Sequence, residues 1–132
     1  LDIAPERVDI RLGNLVSPLD RESEWGTFDV LVSNPPYIPT KVMDELPHEV
    51  ADFEPHLALD GGCDGLDIFR RLLNAAPYML REGGLFICEL FEKACDPASQ
   101  LCREVGDVRI VEDLTGRPRI VAARVLEART RD

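Results

Sequence analysis

Residues 34 to 37 read Asn-Pro-Pro-Tyr, directly after the apolar run Phe28-Asp29-Val30-Leu31-Val32-Ser33. Such a run reads as a strand buried on both faces, in a parallel sheet flanked by helices. Open α/β sheets place their ligands at the carboxyl ends of these strands. Neither proline can donate a backbone N–H, so the chain is stopped and stiffened there. Pro35 pushes Asn34 into extended geometry, and Pro36 does the same to Pro35. The Pro35 carbonyl and the Asn34 side-chain oxygen then offer two neighbouring neutral acceptors. Such a pair suits the two hydrogens of a planar –NH2 group, and Tyr37 supplies a flat apolar face for it. An amide nitrogen is a poor nucleophile because its lone pair is delocalised. Gripping both hydrogens aims that lone pair out of the plane toward an electrophile, and orientation of this kind contributes on the order of several kcal/mol. Asn-Pro is also a common turn opener and Pro-Pro a stiff connector. Placement after a buried strand, with Asn before and Tyr after, favours the chemical reading. Asn34 and Pro35 are the candidate catalytic residues, and together with Pro36 and Tyr37 they form the candidate substrate site.

The elements that must position this tetrapeptide alternate along the chain. Residues 8–12 read as a short strand ending at Gly13-Asn14-Leu15, and residues 27–33 as the central buried one. Residues 34–65 form a long proline-rich connection, with a helical turn expected at 43–45 or 49–52, and connections of that length inside compact domains are usually functional. Helical spacing runs through Ile68, Phe69, Leu72, Leu73, Ala76 and Leu80, with Asp64 as N-cap and Asp67 in the first turn. Pro77 should kink or end the regular part. Gly83-Gly84 is expected to turn into a strand at 85–90, and residues 96–104 to form a helix stopped by Gly106. The last pair of runs, 108–112 and 119–126, reads as an antiparallel hairpin around Thr115-Gly116-Arg117-Pro118. Residues 127–132 read as a solvated tail.

The wider pattern narrows the chemistry. Val32-Ser33-Asn34-Pro35-Pro36-Tyr37-Ile38-Pro39 is followed by Phe53-Glu54-Pro55, Ala58-Leu59, Gly61-Gly62 and Asp64-Gly65-Leu66-Asp67. Leu80, Gly83-Gly84, Glu89 and the late Asp113-Leu114-x-Gly116-x-x-Arg119 pattern complete the set. Together these resemble the release-factor glutamine methyltransferases (the HemK/PrmC family) over nearly the whole chain. The resemblance implies an α/β fold, part of the Rossmann-like class I methyltransferase sheet whose full strand order is 3-2-1-4-5-7-6. It implies S-adenosylmethionine as methyl donor and, as substrate, the glutamine of the Gly-Gly-Gln motif in a peptide-chain release factor. Asn34 and Pro35 would accept the amide hydrogens, Pro36 would hold the shape, and Tyr37 would flank the amide plane. Asn34 would also lie near the donor's methionine end. Asn14 and Leu15 would lie near its adenine, where family members commonly carry an aspartate and a bulky aromatic. No Gly-x-Gly turn after an apolar strand occurs in the sequence, although the family holds its cofactor on one. Residues 1–132 are therefore expected to be the C-terminal portion of a single methyltransferase domain, holding strands 3, 4, 5, 7 and 6. Without the first two strands the piece should be inactive alone. The bared edge of the central strand should promote self-association.

Composition bounds the alternatives. At 132 residues and 45% hydrophobic, the chain is one domain's worth or a large piece of one. With 25 acids against 15 bases, the charge of −10 disfavours a nucleic-acid partner. No apolar run reaches the roughly 20 residues that span a membrane. The four cysteines, at 63, 88, 95 and 102, contain no Cys-x-x-Cys pair. They read as small buried or half-buried thiols in a reducing, cytoplasmic compartment, and no metal site is expected. His48 and His56 read as solvated or structural, Asp113 and Arg119 as hairpin structure, and Glu54 as a brace for the long loop. Two rivals stay open. A nucleic-acid methyltransferase would grip an adenine N6 amine with the same acceptors, against which stand the acidity and the Phe-Glu-Pro segment. A non-catalytic fold or binding fragment would need no cofactor turn.

Overall fold

The structure, a computed structural model, describes residues 2–46 and 56–130. His48, the Phe53-Glu54-Pro55 segment and the turn expected at 49–52 lie outside the described residues. Among those described, the strands are β1 (Phe28–Ser33), β2 (Ile38–Pro39), β3 (Asp60–Gly62), β4 (Leu80–Glu89), β5 (Gly106–Glu112) and β6 (Pro118–Val125). The main sheet runs β1-β4-β6-β5, and β2 pairs with β3 in a separate two-stranded sheet. β1 and β4 are parallel, whereas β6 is antiparallel to both its neighbours. That order reproduces positions 4-5-7-6 of the expected sheet.

Two helices, α1 (Asp67–Met79) and α2 (Cys95–Cys102), cover one face of this sheet. The spacing of Phe69, Leu72, Leu73 and Ala76 puts them on one stripe of α1, and all are buried. Phe69 meets Phe86 of β4 with ring centroids 5.7 Å apart. Phe86 and Cys88 on β4, and Val121, Ala123 and Val125 on β6, are alternate residues, so each set shares the helix-covered face. Cys95, Ala98 and Cys102 close the same core from α2. Burial pushes the Cys88 and Cys102 thiols up to about 12. These thiols are therefore neutral packing groups, and Cys63 alone of the four is exposed.

The second face of β1 is open, which corrects the expectation of burial on both sides. Val30 is 48% and Val32 68% exposed, because no described element packs over them. The strand expected at 8–12 does not form either. Its neighbour in the family order would be strand two, and a strand without a ladder partner leaves its backbone groups to water. Ile10 and Leu12 are instead 91% and 100% exposed. Arg11 anchors the segment by bonding Asp9 at 2.7 Å and Glu24 at 2.6 Å.

Three boundaries differ locally. Pro77 does not end α1: it lies in the last turn, and the Leu80 N–H bonds the Ala76 carbonyl past it. Its own carbonyl accepts the Arg129 N–H at 2.9 Å, a backbone tie on a tail whose described residues, 127–130, are exposed as expected. Asp64 is not the N-cap, which is Leu66. The Asp64 carboxylate instead accepts the Leu66 N–H at 3.0 Å and two guanidinium N–H groups of Arg70. Gly83-Gly84 lies inside β4 as a bulge: Phe28 pairs with Leu80 but Val30 with Leu85. Gly83 takes φ +78° there, and Arg81 from the bulge bonds Asp29 of β1 at 2.5 Å.

The hairpin of β5 and β6 turns on Asp113. Its carboxylate accepts the Thr115 N–H at 2.8 Å, the Thr115 hydroxyl at 2.6 Å, the Arg117 N–H at 3.1 Å and Arg119 Nε at 3.3 Å. Asp113 and Arg119 are therefore hairpin structure, as expected. The Thr115 hydroxyl and the neighbouring N–H groups hold Asp113 down to about 2, and Arg70 does the same for Asp64. A carboxylate whose folded pKa is depressed stabilises the fold above its unfolded value and loses that contribution as pH falls through the folded one. Acid titration should thus show stability declining from about pH 4 to about pH 2, with a shallower decline in Asp113→Asn. Denaturant midpoints across that range check this.

Candidate functional site

β1 delivers the tetrapeptide to the carboxyl end of the sheet, where a continuing helix or ladder is blocked by the two prolines. The chain runs through Asn34–Tyr37 without regular structure and re-forms as β2, whose Ile38 and Pro39 pair with Asp60 and Gly62 of β3. Asp60 Oδ1 ties this corner together, accepting Thr40 Oγ1 at 2.8 Å and the Gly62 N–H at 2.9 Å. The close packing of these two backbone segments is possible only because position 61 is glycine. A Cβ on Gly61 would stand 2.7 Å from both the Pro36 carbonyl oxygen and the Tyr37 Cα. Gly65 adds a second close approach: its Cβ would overlap the Tyr37 carbonyl, and its φ of +82° is one that side chains rarely adopt.

The structure gathers some of the expected residues and separates others. Asn34, Pro36, Asn14 and Leu15 line one cavity of about 700 Å³, together with Ile68 and Arg71 from α1. That volume lies within the range of small-molecule sites, about 300–1,000 Å³. Asn34 is exposed, and its amide takes no hydrogen-bond partner from among the described residues. Pro35 is buried and is not part of that lining. The half-buried Tyr37 packs its ring on Phe91, with centroids 5.8 Å apart and planes at 32°, outside the lining of this cavity.

The turn carrying Asn14 is fixed at both ends. Its backbone N–H donates to Ser17 Oγ at 2.9 Å, and its side-chain Oδ1 accepts a guanidinium N–H of Arg71 at 2.9 Å. Leu15 follows with φ +53°, the left-handed region. That conformation costs a residue with a side chain about 1–2 kcal/mol. Two carboxamides and one guanidinium are the polar groups in the cavity lining, and no carboxylate joins them among the described residues. No described His, Cys, Asp and Glu cluster could hold a metal ion.

Sequence reasoning singled out Gly61 and Gly65 as part of a pattern without seeing their work. The Gly-Gly-x-Asp-Gly spacing signals close backbone approach, but not what approaches. Arg71 was not singled out at all.

A parallel β1–β4 edge with an Asn-Pro-Pro-Tyr corner at its carboxyl end, continued by an antiparallel hairpin, defines part of a Rossmann-like methyltransferase domain. Curated relatives sharpen that class. The release factor glutamine methyltransferase of Koribacter versatilis is 36% identical over 118 residues, covering 89% of this chain and 41% of the relative. The protein of that name from Moorella thermoacetica is 42% identical over 120 residues, again 89% and 41%. The one from Caulobacter vibrioides is 46% identical over 97 residues, 72% and 34%. No protein-family model matches the chain. The chain belongs to the release factor glutamine methyltransferase family. It spans about 41% of the length of the first of these relatives.

Proposed function

We propose that the protein carrying this chain transfers a methyl group from S-adenosylmethionine to the glutamine side-chain nitrogen in the Gly-Gly-Gln motif of a peptide-chain release factor. The observation that carries this reading is Asn34, exposed and without a described partner, at the mouth of a cavity at the end of β1. The names of the relatives supply the substrate. Asn34 Oδ1 and the Pro35 carbonyl accept the two amide hydrogens, and the planar amide is held with its nitrogen lone pair aimed at the methyl group. Pro36 keeps the corner extended, and Tyr37, whose ring packs on Phe91 outside the cavity lining, flanks the amide plane only after turning toward it. When bound, the donor supplies an electrophilic methyl on a sulfonium. The lining is mostly apolar and carries no described carboxylate. It suits a charge that disappears as the methyl leaves, because it offers the sulfonium little ground-state stabilisation. Asn34, Asn14 and Leu15 are the residues of this chain that face the donor, and the fit is partial because the glycine-rich turn is not in the sequence.

The direct test incubates the encoded protein with S-adenosylmethionine and a release factor, and reads the glutamine by peptide mass spectrometry. Methylation at that glutamine is expected; labelling of DNA or RNA in its place would contradict the reading. Calorimetry on the 132-residue chain alone should show no micromolar binding of the donor.

No helix among the described residues is long and apolar enough to cross a membrane. The setting in this reading is the cytoplasm, where release factors meet the ribosome and the thiols stay reduced. The isolated chain self-associates through the unpaired edge of β1, where Val30 and Val32 are exposed. Sedimentation should show mass rising with concentration, and a sharp monomer at high concentration would count against it.

A further inference from the structure

We infer that Arg71 is the anion-recognising residue of this site, binding a carboxylate of the molecule that occupies the cavity beside Asn34. This rests on the methyltransferase reading above and adds to it what kind of group the ligand must carry. A guanidinium has five N–H donors, and that of Arg71 has a single described bond, to the neutral Oδ1 of Asn14 at 2.9 Å. The acids on the same stretch are engaged by its neighbour. Asp64 bonds Arg70 at 2.5 Å and 3.0 Å, and Asp67, one turn before Arg71, stands 3.5 Å from Arg70. Arg71 is therefore left with its charge unneutralised by any described carboxylate. It stands exposed on a rigid helix between this cavity, whose other described side chains are apolar or carboxamide, and a second hollow lined by Ser17, Trp25 and Tyr78. In a chain of net charge −10, a lone cation in a concave site focuses the local field on an incoming anion. The planar fork matches a carboxylate with two parallel bonds, and Asn14 fixes the orientation of that fork.

Two molecules in the proposed reaction can bear carboxylates, the release factor on its acidic side chains and the methyl donor at its amino-acid end. Because Arg71 is held by Asn14, the residue assigned to the donor's adenine side, the release factor is the favoured source and the donor the control. Arg71→Met separates them, since methionine is a good helix former at an exposed position. Calorimetry on the encoded protein compares S-adenosylhomocysteine, which keeps the carboxylate, with methylthioadenosine, which lacks it. If the donor is the source, the variant loses roughly ten- to hundredfold in affinity for the first and nothing for the second. If the release factor is the source, its KM rises by a similar factor at unchanged kcat, and the rise disappears on a release factor whose nearby acids are neutralised. Arg71→Lys should recover part of either loss. An equal loss for both nucleosides marks Arg71 as a mere support for Asn14 and overturns the inference. So does a variant that shifts neither affinity nor KM by more than twofold. A wild-type protein that binds neither S-adenosylhomocysteine nor a release factor removes the methyltransferase reading as well.

Discussion

Asn34→Ala is expected to lower methyl transfer by the encoded protein on the order of 10²-fold while leaving its melting temperature unchanged. The rate falls because one of two acceptors that orient the amide is gone, and a nucleophile that is poor by resonance depends on that orientation. Stability holds because the Asn34 side chain is exposed and takes no partner from the described residues. Surface substitutions of that kind usually stay within about 0.5 kcal/mol. The loss should fall on kcat more than on the KM of the methyl donor, because the amide grip acts on the substrate. Steady-state kinetics beside a thermal melt checks both halves. A variant that kept full rate, or that lost rate only by unfolding, would contradict the role given to this side chain.

Gly61→Ala should reach the same site from behind, and should cost stability too. The new methyl group would meet the Pro36 carbonyl oxygen and the Tyr37 Cα, each 2.7 Å away, so that no side-chain rotation can relieve it. The Gly65 carbonyl oxygen stands closer still, so the turn at 62–65 shifts, the β2–β3 pairing opens or the tetrapeptide moves. Overpacking of this sort costs about 1–3 kcal/mol. A displacement of about 1 Å at the reacting centre can cost 10²-fold in rate. The variant should therefore lose several degrees in melting temperature together with most of its activity. Asn34→Ala loses activity only. Measured side by side, the pair separates the group that touches the amide from the glycine that lets the corner form.

What was legible in the sequence was local. Asn34, Pro35, Pro36 and Tyr37 announce an irregular corner because prolines restrict their own neighbourhood, and the periodicity of Phe69, Leu72, Leu73 and Ala76 contains the buried face of α1. The β5–β6 hairpin was legible through its turn residues, with Asp113 and Gly116 at its tip. What depends on a partner elsewhere was not legible. Residues 8–12 have a strand's pattern, but a strand is made by its neighbour, and none is present among the described residues. Val30 and Val32 look like core and stand exposed for the same reason. Gly83-Gly84 reads as a turn, and only the register between Phe28 and Val30 on β1 reveals a bulge. Gly61 and Arg71 act through contacts with positions 25 and 57 residues earlier, at Pro36 and Asn14, a distance no spacing rule covers.

The proposed amide grip consists of two oxygen atoms, Asn34 Oδ1 and the Pro35 carbonyl. A crystal structure of the encoded protein with S-adenosylhomocysteine and a release factor bound tests it most directly. The glutamine –NH2 is predicted to lie about 2.9 Å from both oxygens, in the range of a good N–H···O bond. A glutamine amide held by other groups, with the Asn34 side chain turned away from it, would contradict the account.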